Sequence, residues 1–345
     1  MTTRVEPIPA WRAGCWWMAA VALNWTAPSA LIFVQETLAQ ETTPAPAQAN
    51  GEEFPDGITP SHVFSRLDLL DRCLDRLMAA RNITAPELPP KMESRLGPLH
   101  VYQLVLASSM RVQTLDDQAG VLAMPTLSAK PRFYAPRDVL LVSGLMFDGV
   151  QRVATTLNIE DLPTNEATVS DKTPTEVYGR AVSVFLKLNA LCGYDDISPG
   201  EVYAEMVRAA DDVRSILRQA DSESRYRIDA PSSEPDQVPG DVFDKCRDVR
   251  GALNKHRIAL GQPAVPLPSP PSGYEIRPRD VFLQTQVIIA ELNFLKLYTD
   301  TISSTPLAVP VNSKTPTDVH EQASLIEYLL GQVETGAENS VGASD

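Results

Sequence analysis

The side chains best suited to metal or acid–base chemistry in this chain are its four histidines, His62, His100, His256 and His320. Two imidazoles within reach of one another bind a transition metal or sense acid pH. His62 and His100 qualify by register, since each stands two residues after a proline, in ITPSHVF and LGPLHVY. Six parallel segments carry an acid there instead: Asp138, Glu176, Glu201, Asp241, Asp280 and Asp318. If the elements bearing the two histidines lie side by side, their rings share a metal; otherwise they are solvated first-turn residues. The six carboxylates would form a cation-binding ring on parallel elements, although an acid at that position already has a capping role. His256 reads as a helix-end histidine near the negative end of the dipole.

Beyond residue 39 the cysteines are Cys73, Cys192 and Cys246, with no CxxC and no Cys/His cluster, so no structural metal is expected. In an oxidising compartment three thiols form at most one internal disulfide. The chain has no GxSxG, Walker loop, GxGxxG or HExxH. The expectation is a protein that is not an enzyme and carries no cofactor. The charged runs DRCLDR (71–76) and AADDVR (209–214) read as solvated helix faces.

A second recurrent feature is a large residue four positions after each motif proline. Packing against the neighbouring connector is its expected role; if exposed, Tyr102, Tyr178, Tyr203, Phe243 and Phe282 would line a groove for an apolar ligand or peptide.

The elements that position all these groups are one unit written eight times. The motif prolines are Pro60, Pro98, Pro136, Pro174, Pro199, Pro239, Pro278 and Pro316, spaced 38, 38, 38, 25, 40, 39 and 38 residues apart. Such a period marks tandem structural units. Three residues after each proline stands a valine: Val63, Val101, Val139, Val177, Val202, Val242, Val281 and Val319. A Ser or Thr before the proline in four units, the proline itself and the first-turn acid together spell a helix start. Apolar residues then recur at +3, +7, +10, +14 and +17, a narrow seam suited to bundling, broken only by Ser108, Ser143, Thr285 and His256. Each helix should run about twenty residues, or about 30 Å. Pro-rich straps such as GQPAVPLPSPPSGYEIRP follow, expected to be extended and ordered against the helices. The fold class is therefore all-α, an eight-helix tandem repeat in a bundle or a solenoid, with most helix directions left open by straps long enough for either.

The one short spacing sets the domain organisation. Between Pro174 and Pro199 only GYDDIS separates the helices, too short to travel back along one, so the fourth and fifth helices must run in opposite directions. Four motifs lie on each side, which divides the chain into halves at 57–195 and 196–333.

Ahead of the repeats, Arg4 and Arg12 precede the apolar run CWWMAAVALNWTAPSALIFV and the small residues Thr37 and Ala39. Residues 1–39 read as a cleaved signal peptide, with an uncleaved membrane anchor as the rival reading. Residues 40–56 and 334–345 read as a disordered tether and tail. The net charge of −14 argues against a nucleic-acid binder and against docking on anionic lipid. Together these point to an exported, periplasmic or secreted repeat protein, not integral to the membrane after cleavage. Its partner is expected to be another protein of a bacterial envelope; the alternative is a ligand-binding or sensing module with a cavity between helices.

Overall fold

The computed structural model describes residues 57–219, 229, 231–305 and 307–333. The signal peptide, tether and tail inferred above lie outside them. Eight helices and no strand occur among the described residues: α1 (Pro60–Ala80), α2 (Pro98–Ala119), α3 (Pro136–Thr156), α4 (Pro174–Leu191), α5 (Pro199–Gln219), α6 (Pro239–Ala259), α7 (Pro278–Tyr298) and α8 (Pro316–Leu330). Every helix starts on its motif proline, which suits the first helical position because its missing N–H has no role there. Several stop through a left-handed residue, among them Gly120 (φ 68°) and Gly193 (φ 85°), where a Cβ would be strained.

The helices pack as two rings of four. In the first, α1 and α2 each touch both α3 and α4; in the second, α5 and α6 each touch both α7 and α8. α1 and α2 thus sit on one diagonal and α3 and α4 on the other, and the two rings share one connectivity.

Within each ring all helices run parallel. The prolines and +3 valines of α5, α6, α7 and α8 surround a single small depression, so all four begin at the same end. In the first ring Lys172 N–H, just ahead of α4, donates to Ser61 Oγ at the start of α1, and Leu96 N–H, just ahead of α2, donates to Thr175 Oγ1 on α4. At the far end Arg81 donates to Leu191 O and Gln118 to Cys192 O, while α3 follows α2 through Arg152 and Asp116. A parallel ring explains the straps: each must return about 30 Å to start the next helix, which about ten extended residues span.

Parallel, in-register helices stack the seam into layers. All eight valines at +3 and all eight aliphatic residues at +14 are buried, from Leu74 and Val112 to Leu292 and Leu330. The seam-breaking Ser108, Ser143 and Thr285 return their hydroxyls to the carbonyls of Leu104, Val139 and Val281, four residues back, which makes them tolerable in an apolar layer.

The straps are ordered and repeat as faithfully as the helices. Gln113 donates to Met124 O and Asn254 to Val265 O, the same pair of positions in the two rings. Leu96 N–H donates to Thr175 Oγ1 and Gln237 N–H to Thr317 Oγ1, again equivalent. Lys172 lies over the Phe64 ring at 4.9 Å and Lys314 over the Tyr203 ring at 4.2 Å, each lysine two residues ahead of its proline. Shared hydrogen bonds at shared registers mark the second ring as a structural duplicate of the first.

The rings meet through α2 and α7, which run antiparallel. His100 (+2) faces Glu291 (+13), and Gln103 (+5) faces Gln286 (+8). The direction therefore reverses at Gly193–Ser198 as the short spacing requires, yet α4 and α5 do not pack on each other.

Candidate functional site

At all eight helix starts the third helical residue reaches back to the N–H of the residue before the proline. Glu176, Asp318 and Asp138 do so with carboxylate oxygens on Thr173, Thr315 and Ala135. His62 and His100 do it with Nδ1, accepting from Thr59 and Gly97 at 3.1 and 3.0 Å. An imidazole replaces a carboxylate here because its unprotonated nitrogen is also an acceptor, which fixes the ring proton on Nε2. Since α1 and α2 lie on a diagonal, the two histidines do not meet: His62 is exposed, and His100 is buried between the rings. The helices are parallel, as a carboxylate ring would require, but each acid is engaged locally, Glu176 by Lys172 and Asp318 by Lys314, for example. Among the described residues no group of three or more His, Cys, Asp or Glu could hold a metal ion.

The residues at +4 are placed mainly as packing groups. Tyr102, Tyr178, Phe243 and Phe282 are buried; Tyr203 is partly exposed beneath Lys314. Tyr102 lies against Tyr134 of the next strap, with ring centroids 4.1 Å apart, and burial pushes its phenol up to about 12. Phe282 stacks on Phe185 at 5.0 Å across the two rings, and Tyr178 donates to Leu283 O beside it. They form no open groove; the depression at the helix starts is a cavity of about 10 Å³ lined by proline and valine, room for about one water.

The strongest polar chemistry lies where the sequence reading placed solvated faces. Asp71, in DRCLDR, is buried and accepts from Arg180 at 2.8 Å and from Ser183 at 2.7 Å, with Lys187 at 3.0 Å. Asp212, in AADDVR, is buried with Lys296, and Thr305 donates to it at 2.7 Å. Lys296 also donates to Ser303 O, which ties the α7–α8 strap to the bundle. Burial pushes the Asp212 carboxyl above its ordinary range and the Lys296 ammonium below its own, as expected for charges removed from water. The solvated-face reading is thus corrected for one acid in each run: Asp75 stays exposed and Asp211 half exposed, while Asp71 and Asp212 point inward to a cation on a neighbouring helix. These partners are 84 or more residues away in sequence, so no local pattern announces them.

The interface between rings holds two further clusters. Glu93, on the α1–α2 strap, makes a two-point ion pair with Arg250 at 2.7 and 3.1 Å and accepts from Gln284 at 2.6 Å. His100 Nε2 donates to Glu291 at 2.7 Å, and Arg257 donates to the same carboxylate at 2.9 Å. Burial would push the Glu291 carboxyl up, but the hydrogen bonds from His100 and Arg257 and the Arg257 charge hold it below its usual value. In these two clusters every charged group faces a partner, an arrangement suited to fixing two bundles against each other.

Cys73, Cys192 and Cys246 are free, buried thiols, and Cys73 and Cys192 donate to the Pro163 and Arg111 carbonyls. Burial raises them to about 11, 11 and 12, far from the thiolate state that nucleophilic chemistry requires. His256 donates from Nε2 to Leu330 O at the end of α8, a helix-end role. No described helix is long and apolar enough to cross a membrane. No protein-family model matches this chain, and neither a curated protein nor a solved structure matches it.

Proposed function

We propose that the protein is a non-enzymatic interaction or scaffold protein of the bacterial envelope, exported by a cleaved signal and acting in the periplasm. The observation that supports this reading is where the buried polar groups go. Asp71, Glu93, His100, Asp212 and Glu291 are engaged in holding helices, straps and rings together. The product is a double bundle whose outer faces are available for binding, as in other repeat architectures. Export rests on the charged start, apolar run and small-residue site ahead of the repeats.

Two measurements test the reading. The intact mass of the protein isolated from native envelopes should lack residues 1–39; a full-length, membrane-embedded species would replace export by anchoring. In-cell cross-linking followed by mass spectrometry should join helix-face lysines reproducibly to a defined envelope protein. Turnover of a substrate by the purified chain, abolished by a change at Glu291 or Lys296 that leaves the fold intact, would overturn the non-enzymatic reading.

A further inference from the structure

The duplication is not closed, because the two rings meet through non-equivalent helices. In order along the chain α2 corresponds to α6 and α3 to α7, yet the contact is α2 on α7. Such a head-to-tail contact leaves one equivalent face unmatched on each ring, that of α6 and that of α3.

The two leftover faces have been treated in opposite ways. On α2 the residues at +5, +8 and +9 are Gln103, Leu106 and Ala107, all buried. Their counterparts on α6 are Asp244, Arg247 and Asp248, a charged face with Asp244 paired to Arg247 at 3.1 Å. That is what a helix facing water requires, and it blocks a third ring from adding there. On α7 the residues at +5 and +9 are Leu283 and Val287, buried at 6% and 0% exposure. Their counterparts on α3 are Leu141 and Leu145, left 68% and 38% exposed and still leucine. Phe133, on the strap leading into α3, is also half exposed. One open face was made polar; the other kept leucine at the two positions that are buried on α7.

We infer that the α3 face binds the α3 face of a second copy of this chain, antiparallel, in a closed two-fold dimer. The internal interface supplies the register. His100 with Glu291 and Gln103 with Gln286 pair positions +2 with +13 and +5 with +8, so facing positions add to about fourteen. On α3 the same rule sets Leu141 (+5) against Leu145 (+9) of the second copy, and Leu145 against its Leu141. A second copy is the occupant because the repeat already docks a helix of its own kind on this register, and the charged α6 leaves α3 as the apolar match. An isologous contact also closes, so growth stops at two.

The test is sedimentation velocity of the purified chain over a concentration series, with Leu141→Glu/Leu145→Glu as the variant. The wild type should be a dimer, and the variant a monomer with unchanged circular dichroism and melting midpoint, its dissociation constant raised at least about tenfold. As an independent readout, Leu141→Cys mixed with Leu145→Cys should cross-link through a short bismaleimide faster than either alone. A wild type monomeric up to its solubility limit would overturn the inference, and so would a dimer that survives the double substitution or equal cross-linking in all three mixtures.

Discussion

His100 and Glu291 stand 2.7 Å apart across the antiparallel α2–α7 contact, the main helix–helix contact between the two rings. The imidazole serves both sides at once, accepting the Gly97 N–H on Nδ1 and donating to Glu291 from Nε2. His100→Ala removes the helix cap and leaves a buried carboxylate with only Arg257, a loss of about 2–3 kcal/mol. Residues 52–195 and 196–336, prepared separately, should each be helical, because each ring keeps its own straps. Mixed, they should form a 1:1 complex by size-exclusion chromatography, and His100→Ala in the first half should weaken it. Halves that stay apart would show that the interface depends on the linking turn.

The seam makes a sharper stability test. Val177→Asp places an unpaired carboxylate in the first layer of the ring and should cost about 3 kcal/mol or more. Gly179→Asp, at an exposed position of the same helix with nothing near its Cβ, should leave the denaturation midpoint nearly unchanged. Thr175 and Arg279 look from the repeat like equally open positions, but they are not suitable controls. Thr175 Oγ1 accepts the Leu96 N–H, and Arg279 is buried on α7.

That contrast shows what was legible in the sequence. The seam from +3 to +17 was readable because its period is local and recurs eight times, and the helix starts because caps are chemistry within four residues. Parallel packing was not readable, since a strap of about eighteen residues reaches either end of the preceding helix. The α2–α7 interface was hidden for another reason: Gln103, Gln286, His100 and Glu291 have the composition of a surface and become interior only when their partners arrive. The same holds for Lys296, completely buried against Asp212, a partner on another helix that nothing local announces. On α7 every residue from Arg279 to Lys296 is buried, so no single face could be read from its periodicity.

Acid should weaken the fold through its caps. The Thr173 N–H, then Lys172 and the Thr173 hydroxyl, hold the Glu176 carboxyl at about 2; Lys314, then the Thr315 hydroxyl and N–H, hold Asp318 at about 2. Both lie below the ordinary value of about 4. A carboxyl lowered by folding contributes fully above its unfolded value and loses that contribution as pH falls through the folded one. Glu176→Gln/Asp318→Asn should therefore melt a few degrees below wild type at pH 7, the gap closing between about pH 4 and 2. A gap that persists unchanged at pH 2 would show that the side chains contribute by packing, not by charge.

The thiols offer a probe of burial. With Cys73, Cys192 and Cys246 free, buried and raised to about 11, 11 and 12, Ellman's reagent should react slowly with the folded protein lacking residues 1–39. Denaturant should release three thiols, whereas an internal disulfide would leave one.

Two glycines at the same register of equivalent units give the last test. Gly200 and Gly240 each follow the proline of their helix, on α5 and α6. At Gly200 the backbone of the α7–α8 strap passes directly over the helix, and a Cβ there would overlap the Val311 carbonyl oxygen. At Gly240 nothing lies within 4 Å of the same atom. Alanine favours a helix over glycine by up to about 1 kcal/mol, so propensity alone predicts that both substitutions stabilise. Overlap with backbone cannot be relieved by a rotamer change, and displacing the strap should cost about 1–3 kcal/mol. Gly240→Ala should therefore raise the midpoint of chemical denaturation and Gly200→Ala lower it. Hydrogen exchange of Gly200→Ala should quicken around Val311 and spare the α6–α7 strap. Equal, stabilising shifts at both positions would mean that the α7–α8 strap does not rest on the start of α5.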